Sequence, residues 1–367
     1  MIPSEVLADA YTYAARVDSW LGSRWLGTLP VASGSVSWTT EQQVQGSVSL
    51  TVPRVGAPVE GQDQVDYTPR GPESIIESCG QVLHVSVEVR SVVTGQAFTE
   101  RLGRFLITNW DVSGKSITVQ GKSMLHRIEE DRLTSPTTPR TGGTLFSEAR
   151  RLAGGIAGVL APGMSDRACP SSMSWGESRI DALFEIADAW PARLREGRDG
   201  VLRYLPVPPP VSSAPSRVLT DGEGGTVVGV KASGTRSKVY NRVVARGQGQ
   251  DDAGMPTFQA VADQTTGPYA TSGPYGVVTK FFTSPLITSA DGARASARTM
   301  LASSVQRATT IPVTMAPDPT LELDEAVAVV SHAVDGTQVE EHWGRVSSVD
   351  IPLSSAGTMQ IDVEVSR

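Results

Sequence analysis

Cysteine is nearly absent from this 367-residue chain: Cys79 and Cys169 are its two copies. A pair so far apart builds neither a disulfide framework nor a Cys-x-x-Cys metal knuckle, so both read as incidental thiols. Histidine is scarce as well, limited to His84, His126, His332 and His342. A zinc site needs three or four ligands converging tetrahedrally, and this set offers no close pair on one element. No G-x-S-x-G elbow, P-loop or H-E-x-x-H is present, which removes the commonest signatures of hydrolases and nucleotide enzymes. Aromatic residues make up 6% and are scattered, which argues against a sugar-binding groove. Lys and Arg form no run, and the net charge is −7 with a pI near 5.3. Tight duplex binding needs clustered cations, so nucleic acid is not expected as a bound ligand, although a mildly negative wall suits a conduit past which phosphate slides. No apolar run approaches the roughly 18 residues of a membrane span, so no membrane insertion is expected. The N-terminus lacks the apolar core of a signal peptide, and synthesis in a cytoplasm follows as the expectation.

What the sequence has in quantity is turn formers, 36 Gly and 24 Pro, beside a modest hydrophobic fraction of 39%. Its length suits two or three domains, mainly β. In "MIPSEVLADAYTYAARVDSWLG", Ser4 is a candidate cap, and Leu7, Ala10, Ala14, Val17 and Leu21 fall at helical spacing, so a leading helix is expected. From Ser35 the period becomes two: "SVSWTT", "GSVSLTVP" and "QVLHVSVEVRSV" each place apolar residues on one face, with His84 on the solvent side. "GRFLITNWDV" and "KSITVQG" are strands joined at Ser113 and Gly114 by a tight turn.

Beyond residue 138 the pattern turns helical. "TLFSEARRLAGGIAGVL" carries Leu145, Ala149, Leu152, Ile156 and Val159 at helical spacing behind a Thr144 cap. "SRIDALFEIADAW" starts like a capping box on Ser178 and Asp181, ends at Pro191, and leads into a hairpin turning at Asp199 and Gly200. The proline-rich stretch Pro206 to Ser216 marks a boundary. Strands "TVVGV" and "KVYNRVVARG" follow, then a Gly/Pro/Tyr loop region from Gly247 to Gly276, a helix capped by Ser289, and three closing strands. The expected organisation is an N-terminal β-barrel-like domain with a leading helix (1–138), a small α/β insert (139–210) and a second β-barrel-like domain with one helix (211–367).

Charged clusters raise the question of chemistry. "SMLHRIEEDRL" gathers His126, Glu129, Glu130 and Asp131, but Glu130 stands where an inverted zincin motif needs its second histidine. Met124, Leu125, Ile128 and Leu133 make the stretch an amphipathic corner plugged against the first barrel, with the charges in water. The acid pairs Glu129/Glu130, Asp251/Asp252 and Glu340/Glu341 are sequence neighbours in polar settings, whereas catalytic carboxylates need an apolar pocket that separates their pKa values. "DGEGGTVVG" at Asp221 opens into a strand and reads as a turn, without the spacing of a dinucleotide loop. No catalytic, cofactor or metal residue is assigned.

Three segments carry a resemblance. "GSVSWTTEQQVQGSVSLTVP" with "VLHVSVEVRSV" and "LGRFLITNWDVSGKSITVQGKSMLHRIEEDRL" resembles the N-terminal half of the minor tail proteins of long-tailed actinobacterial phages, the tail-hub class. "RIDALFEIADAWPARLREGRDGVLRYLP" is similar to the hub insert. "SPLITSADGARASARTMLASS", "MAPDPTLELDEAVAVV" and "GRVSSVDIPLSSAGTMQIDVEV" resemble the hub's final domain, whose Pro-x-Pro-x-Leu-Glu turn is here Pro317, Pro319, Leu321 and Glu322. Where the family has Gly-Asp after that turn, this chain has Asp324 and Glu325.

The resemblance implies a mainly β structural virion protein with two tube-like antiparallel β-barrel domains flanking an α+β insert. It implies a homotrimer at the distal end of the tail tube, in the virion tail tip. Its partners would be the distal tail or tail tube protein, the tape-measure protein and tail-tip or receptor-binding proteins, with DNA crossing the lumen without specific contacts. It implies no enzyme activity and no cofactor. Two rivals differ in class: a tail-tip enzyme degrading cell wall or carbohydrate, and a receptor-binding adhesin.

Overall fold

The computed structural model describes residues 2, 3, 6, 7, 10–57, 63–190, 192–208, 211, 215–231, 239–247, 256–284, 287, 289–306, 310–332, 339–354 and 356–365. The chain is mainly β, 47% strand and 13% helix. In chain order the elements begin with β1 (Tyr11–Leu21), β2 (Arg24–Leu29), β3 (Ser33–Thr39), β4 (Gly46–Pro53), β5 (Val55–Gly56), β6 (Val65–Asp66), β7 (Gln81–Ser91), β8 (Ala97–Ser113) and β9 (Ser116–Ser123). The middle of the chain holds α1 (Leu125–Glu130), α2 (Leu145–Leu152), β10 (Gly158–Leu160), α3 (Arg179–Ala189), β11 (Ala192–Glu196) and β12 (Leu202–Pro206). Then come β13 (Arg217–Thr220), β14 (Val227–Val230), β15 (Arg242–Gly247), β16 (Gln259–Asp263), β17 (Thr279–Ser284), α4 (Ala290–Gln306), β18 (Thr310–Met315), β19 (Ala326–His332), β20 (Val339–Pro352) and β21 (Met359–Val365).

The period-two segments behave as their pattern dictates. In β7, Leu83, Val85, Val87 and Val89 are buried while the residues between them face outward. Each such side chain contributes about 2 kcal/mol through burial. β8 and β9 form the expected hairpin, with Gly114 in the left-handed region at φ 58°.

Sequence-distant strands then share one sheet of thirteen. Its path runs β14-β18-β21-β20-β3-β4-β9-β8-β7-β1-β2, with β19 added to β20 and β13 to β19. The fourteen-residue β20 is the joint: its first half pairs with β19, its middle and end with β21, and its last five residues with β3, where Ile351 lies opposite Val36. One apolar core follows the whole sheet, from Tyr13 and Val17 to Val363 and Val365.

Several expectations are corrected. The leading helix is absent: residues 11–21 form β1, paired along their full length with β7. Tyr13, Val17 and Ser19 are buried at even spacings, as a strand requires, and eleven ladder positions outweigh the helical reading of this segment. The proposed cap Ser4 lies outside the described residues. No closed barrel is found among the described residues, since the sheet path ends freely on β14 and β2. β13 and β14 share no ladder, although only the turn 221–226 separates them. The helix read over 145–159 stops at Leu152, because Gly154 and Gly155 adopt φ 62° and 94°, and Val159 then joins β10. β2, β16 inside the Gly247–Gly276 region, β17 and β18 are strands the sequence reading passed over.

The insert has its own three-stranded sheet, β10-β12-β11, covered by α2 and α3. Thr144 caps α2 with a reciprocal bond to Ser147, and Ser178 accepts from the Asp181 amide at the start of α3. Its core includes Leu152, Leu183, Ile186, Leu194 and Leu202. A third, smaller core lies between β15 and α4, built on Val243, Ala245, Ala293 and Ala297. The Ser289 hydroxyl accepts from the Gly292 amide at the start of α4.

Candidate functional site

The turn after β18 is where the parts of the molecule converge. Leu321 is fully buried in the main core, which anchors the turn. Asp318 folds it locally by accepting from the Thr320 amide (2.9 Å) and hydroxyl (2.6 Å). Arg217, at the start of β13, bridges Asp318 and Glu325 at 2.6 Å each. Tyr11 of β1 donates its hydroxyl to the Pro317 carbonyl at 2.7 Å. Burial, with the Asp318 charge adding to it, raises the Tyr11 pKa and keeps that hydroxyl a donor.

The insert reaches the same turn through its β11–β12 hairpin. Arg198, at the hairpin tip, donates to the carbonyls of Pro319 and Leu321, the latter at 2.6 Å, and weakly to Arg101 of β8 at 3.4 Å. Burial lowers its pKa, while Glu322, Glu100 and Asp318 hold it up from a distance. One guanidinium thus ties the insert, the first strands and the last third of the chain together. Pro317 and Pro319 have no N–H of their own, and two of the carbonyls bonded here belong to them. The Glu322 amide donates to the Glu325 carboxylate at 3.3 Å.

Asp324 sits at φ 65°, the one non-glycine residue at positive φ among those described. It occupies the position where the resembled family has glycine. A side chain there costs about 1 kcal/mol. Its carboxylate receives Arg195 through two nitrogens, at 2.7 and 3.3 Å, and Arg193 as a second partner. The two arginines alternate with buried Ala192, Leu194 and Glu196, so one face of β11 enters the insert core and the other is cationic. Burial pulls the Arg193 pKa down to about 10, with Asp324 opposing that effect. Arg345 of β20 donates to the Asp324 carbonyl at 2.8 Å. Between hairpin and turn lies a cleft of about 340 Å³, lined among others by Arg195, Arg198, Asp199, Arg203, Glu322 and Asp324.

The charged corner at His126 is more ordered than its sequence suggests. His126 is largely buried, with Nδ1 2.7 Å from Glu129 and Nε2 3.3 Å from Glu130. It is therefore not a solvated side chain as expected. Leu125 and Ile128 do plug a core, but it is the insert's. The Glu196 carboxylate accepts both the Met124 and Leu125 amides at 2.8 Å, capping α1, and burial raises its pKa against those bonds.

His84 also departs from its expectation: its ring stacks on Trp20 at 5.3 Å. Trp20 lies opposite Trp25 across β1 and β2, and Trp25 is 53% exposed. Burial and the nearby Arg104 and Arg101 push the His84 pKa below its ordinary value. His332 lies 2.5 Å from Asp221, whose turn opens into β14 as the sequence indicates. His342 stands 3.5 Å from Glu340, two residues away on the same strand face. Cys79 is exposed and Cys169 partly buried. Asp251 and Asp252 lie outside the described residues. Among the described residues, no three His, Cys, Asp or Glu side chains are grouped to hold a metal. No helix among them is long and apolar enough to cross a membrane.

Sequence reading singled out the 317–322 turn but missed its clamps. Arg193, Arg195 and Arg198 lie more than a hundred residues upstream, and only the alternation in "ARLRE" hints that two of them share a face.

No protein-family model matches the chain, and no curated protein matches it in sequence. Its fold is nevertheless that of several solved proteins. The tail protein from Neisseria meningitidis MC58 superposes with a TM-score of 0.61 at 13% identity, covering 96% of this chain and 97% of that one. The 43 kDa tail protein of prophage MuSo2 from Shewanella oneidensis gives 0.59 at 14% identity, covering 95% and 97%. Prophage tail protein gp18 from Listeria monocytogenes EGD-e gives 0.51 at 9% identity, covering 95% and 94%.

Proposed function

We propose that this chain is a structural tail protein of a bacteriophage, the hub at the distal end of the tail tube. The observation that carries this reading is the extent of the likeness. It takes in 95% or more of this chain in each of the three tail proteins, insert included. A likeness confined to one sheet would support only a common β-fold.

In this reading a homotrimer closes the tube. It meets the distal tail or tube protein and the tape measure on one side and tail-tip or receptor-binding proteins on the other, and DNA crosses its lumen unbound. Among the described residues the large sheet ends on β2, β14 and β13, and such edges favour subunit assembly, because unpaired edges are where another chain adds. The strands on either side of β20 would belong to two tube-like units. The turn with Pro317, Pro319, Leu321 and Glu322 serves as the internal joint that fixes those units and the insert. An actinobacterial host is part of the same proposal and rests on the sequence resemblance alone. The role asks for fitted surfaces and no catalytic group.

Solution mass measurement tests the reading. A trimer, or a monomer that enters threefold particles with its tail partners, is expected, and a stable dimer would sink it. A zymogram on host cell walls separates it from the enzyme alternative: clearing that vanishes on replacing a carboxylate would reverse the assignment.

A further inference from the structure

The insert and the large sheet do not share an apolar core. The main cluster contains no residue between Val119 and Leu219, and the insert cluster takes its fully buried members from residues 125–204. Apart from Val44, whose side chain packs on the insert core from the β3–β4 loop, the contacts across the boundary described here are polar. Arg198 donates to backbone carbonyls. Gln45 exchanges bonds with Leu194 and Glu196 at 2.9 and 3.1 Å, Gln43 donates to Asp181 at 2.8 Å, and Arg193 and Arg195 hold Asp324. A cleft lined with charged groups lies along this boundary. Units joined in this way move relative to each other more readily than units fused through a common core.

Asp324 stands out among these contacts. Its backbone conformation suits glycine, yet it carries a carboxylate that receives two arginines of one strand face. A turn selected only for its shape would gain from glycine. The side chain is therefore retained for what it binds, and its partners all belong to the hairpin of the insert.

We propose that the insert is a movable unit held closed by an ionic latch, with Asp324 as the keeper and Arg193 and Arg195 as the bolts. The fork geometry of Arg195 fixes the hairpin's angle, and Arg193 adds a second, independent hold on the same carboxylate. Releasing the carboxylate frees the β11–β12 face while Arg198 and the glutamine contacts act as a tether. This inference concerns motion within one chain and does not depend on the tail-hub reading.

The test places nitroxide labels at Val92→Cys beside the main sheet and Val159→Cys on the insert, both at exposed sites, in a Cys79→Ser, Cys169→Ala background of the full chain. Distances between the labels are read by pulsed electron resonance. The chain with Asp324 intact should give one narrow distribution. Asp324→Gly and Asp324→Asn should each widen it about twofold. Asp324→Gly should do so without lowering the thermal midpoint of the main sheet, since it removes backbone strain. If both variants stay as narrow as the parent, the latch is refuted and Asp324 is merely a turn residue. Should a variant fail to fold, the full chain carrying Arg193→Gln and Arg195→Gln, which removes both bolts and leaves Asp324 in place, replaces it. There widening supports the latch and an unchanged width overturns it.

Discussion

Leu125 and His126 are neighbours in one short helix, yet they answer to different forces. Leu125 is fully buried in the insert core, while His126 makes two carboxylate contacts near the surface. Leu125→Asp should cost about 4 kcal/mol or more, because it buries a charge without a partner. His126→Ala should cost about 1 kcal/mol, the usual size for contacts to carboxylates that are themselves exposed. Urea denaturation monitored by tryptophan fluorescence compares the two, and equal losses would contradict the assignment of Leu125 to a core. His84 gives a pH prediction. Its folded pKa lies below the unfolded value of 6.5, so the fold favours the neutral ring. That contribution is present above pH 6.5 and is lost as pH falls through the folded pKa. His84→Phe keeps the stack on Trp20 and removes the titration. Subtracting its melting profile from that of the parent should leave a stability difference that declines between about pH 7 and 5. A flat difference would show that the stack does not disfavour the charged ring. The sequence showed His84 on the outward side of a strand, but could not show that the outward side carries Trp20, because that pairing joins residues sixty-four positions apart.

Among the elements, the β11–β12 hairpin has most to explain. Its strands and turn were legible from the alternation of "ARLRE" and the Asp-Gly dipeptide, and they formed where expected. Its role was not legible, because Arg198 bonds to carbonyls that no side-chain pattern reveals. Arg198→Ala should cost about 3 kcal/mol, since buried carbonyls lose a charged donor. Arg198→Lys should recover part of this, keeping the charge but not the fork. Chemical denaturation checks both, and a neutral Arg198→Ala would remove the hairpin tip from the list of structural joints. β1 teaches the converse lesson. Its helical spacing was real in the sequence and lost to pairing with β7, because Val17 and Leu21, four residues apart, fit either period. Propensity decides such a case only when no long partner strand is available.

At the scale of the whole molecule, one sheet and one core connect the first strands to the last. The β3–β20 pairing and the burial of Val36 against Ile351 should make β1–β9 and β18–β21 open together. Native-state hydrogen exchange should therefore give both groups the same opening free energy, with the insert, which has its own core, able to differ. Separate values for the two groups would show that β20 is not the joint. Ile351→Asp should lower both values by about 4 kcal/mol or more, since it places an unpaired charge in the shared core.

From the sequence alone come the mainly β character and the caps at Thr144, Ser178 and Ser289. These are local facts, fixed by residue period and by the chemistry of a few neighbouring side chains. Tertiary structure alone decided that the sheet is continuous and open, that the corner at His126 serves the insert, and that Asp324 holds two arginines from far upstream. Those outcomes depend on which edges pair and which charges meet across a hundred or more residues, and pairing energy is a property of the assembled surfaces that no single stretch of sequence contains.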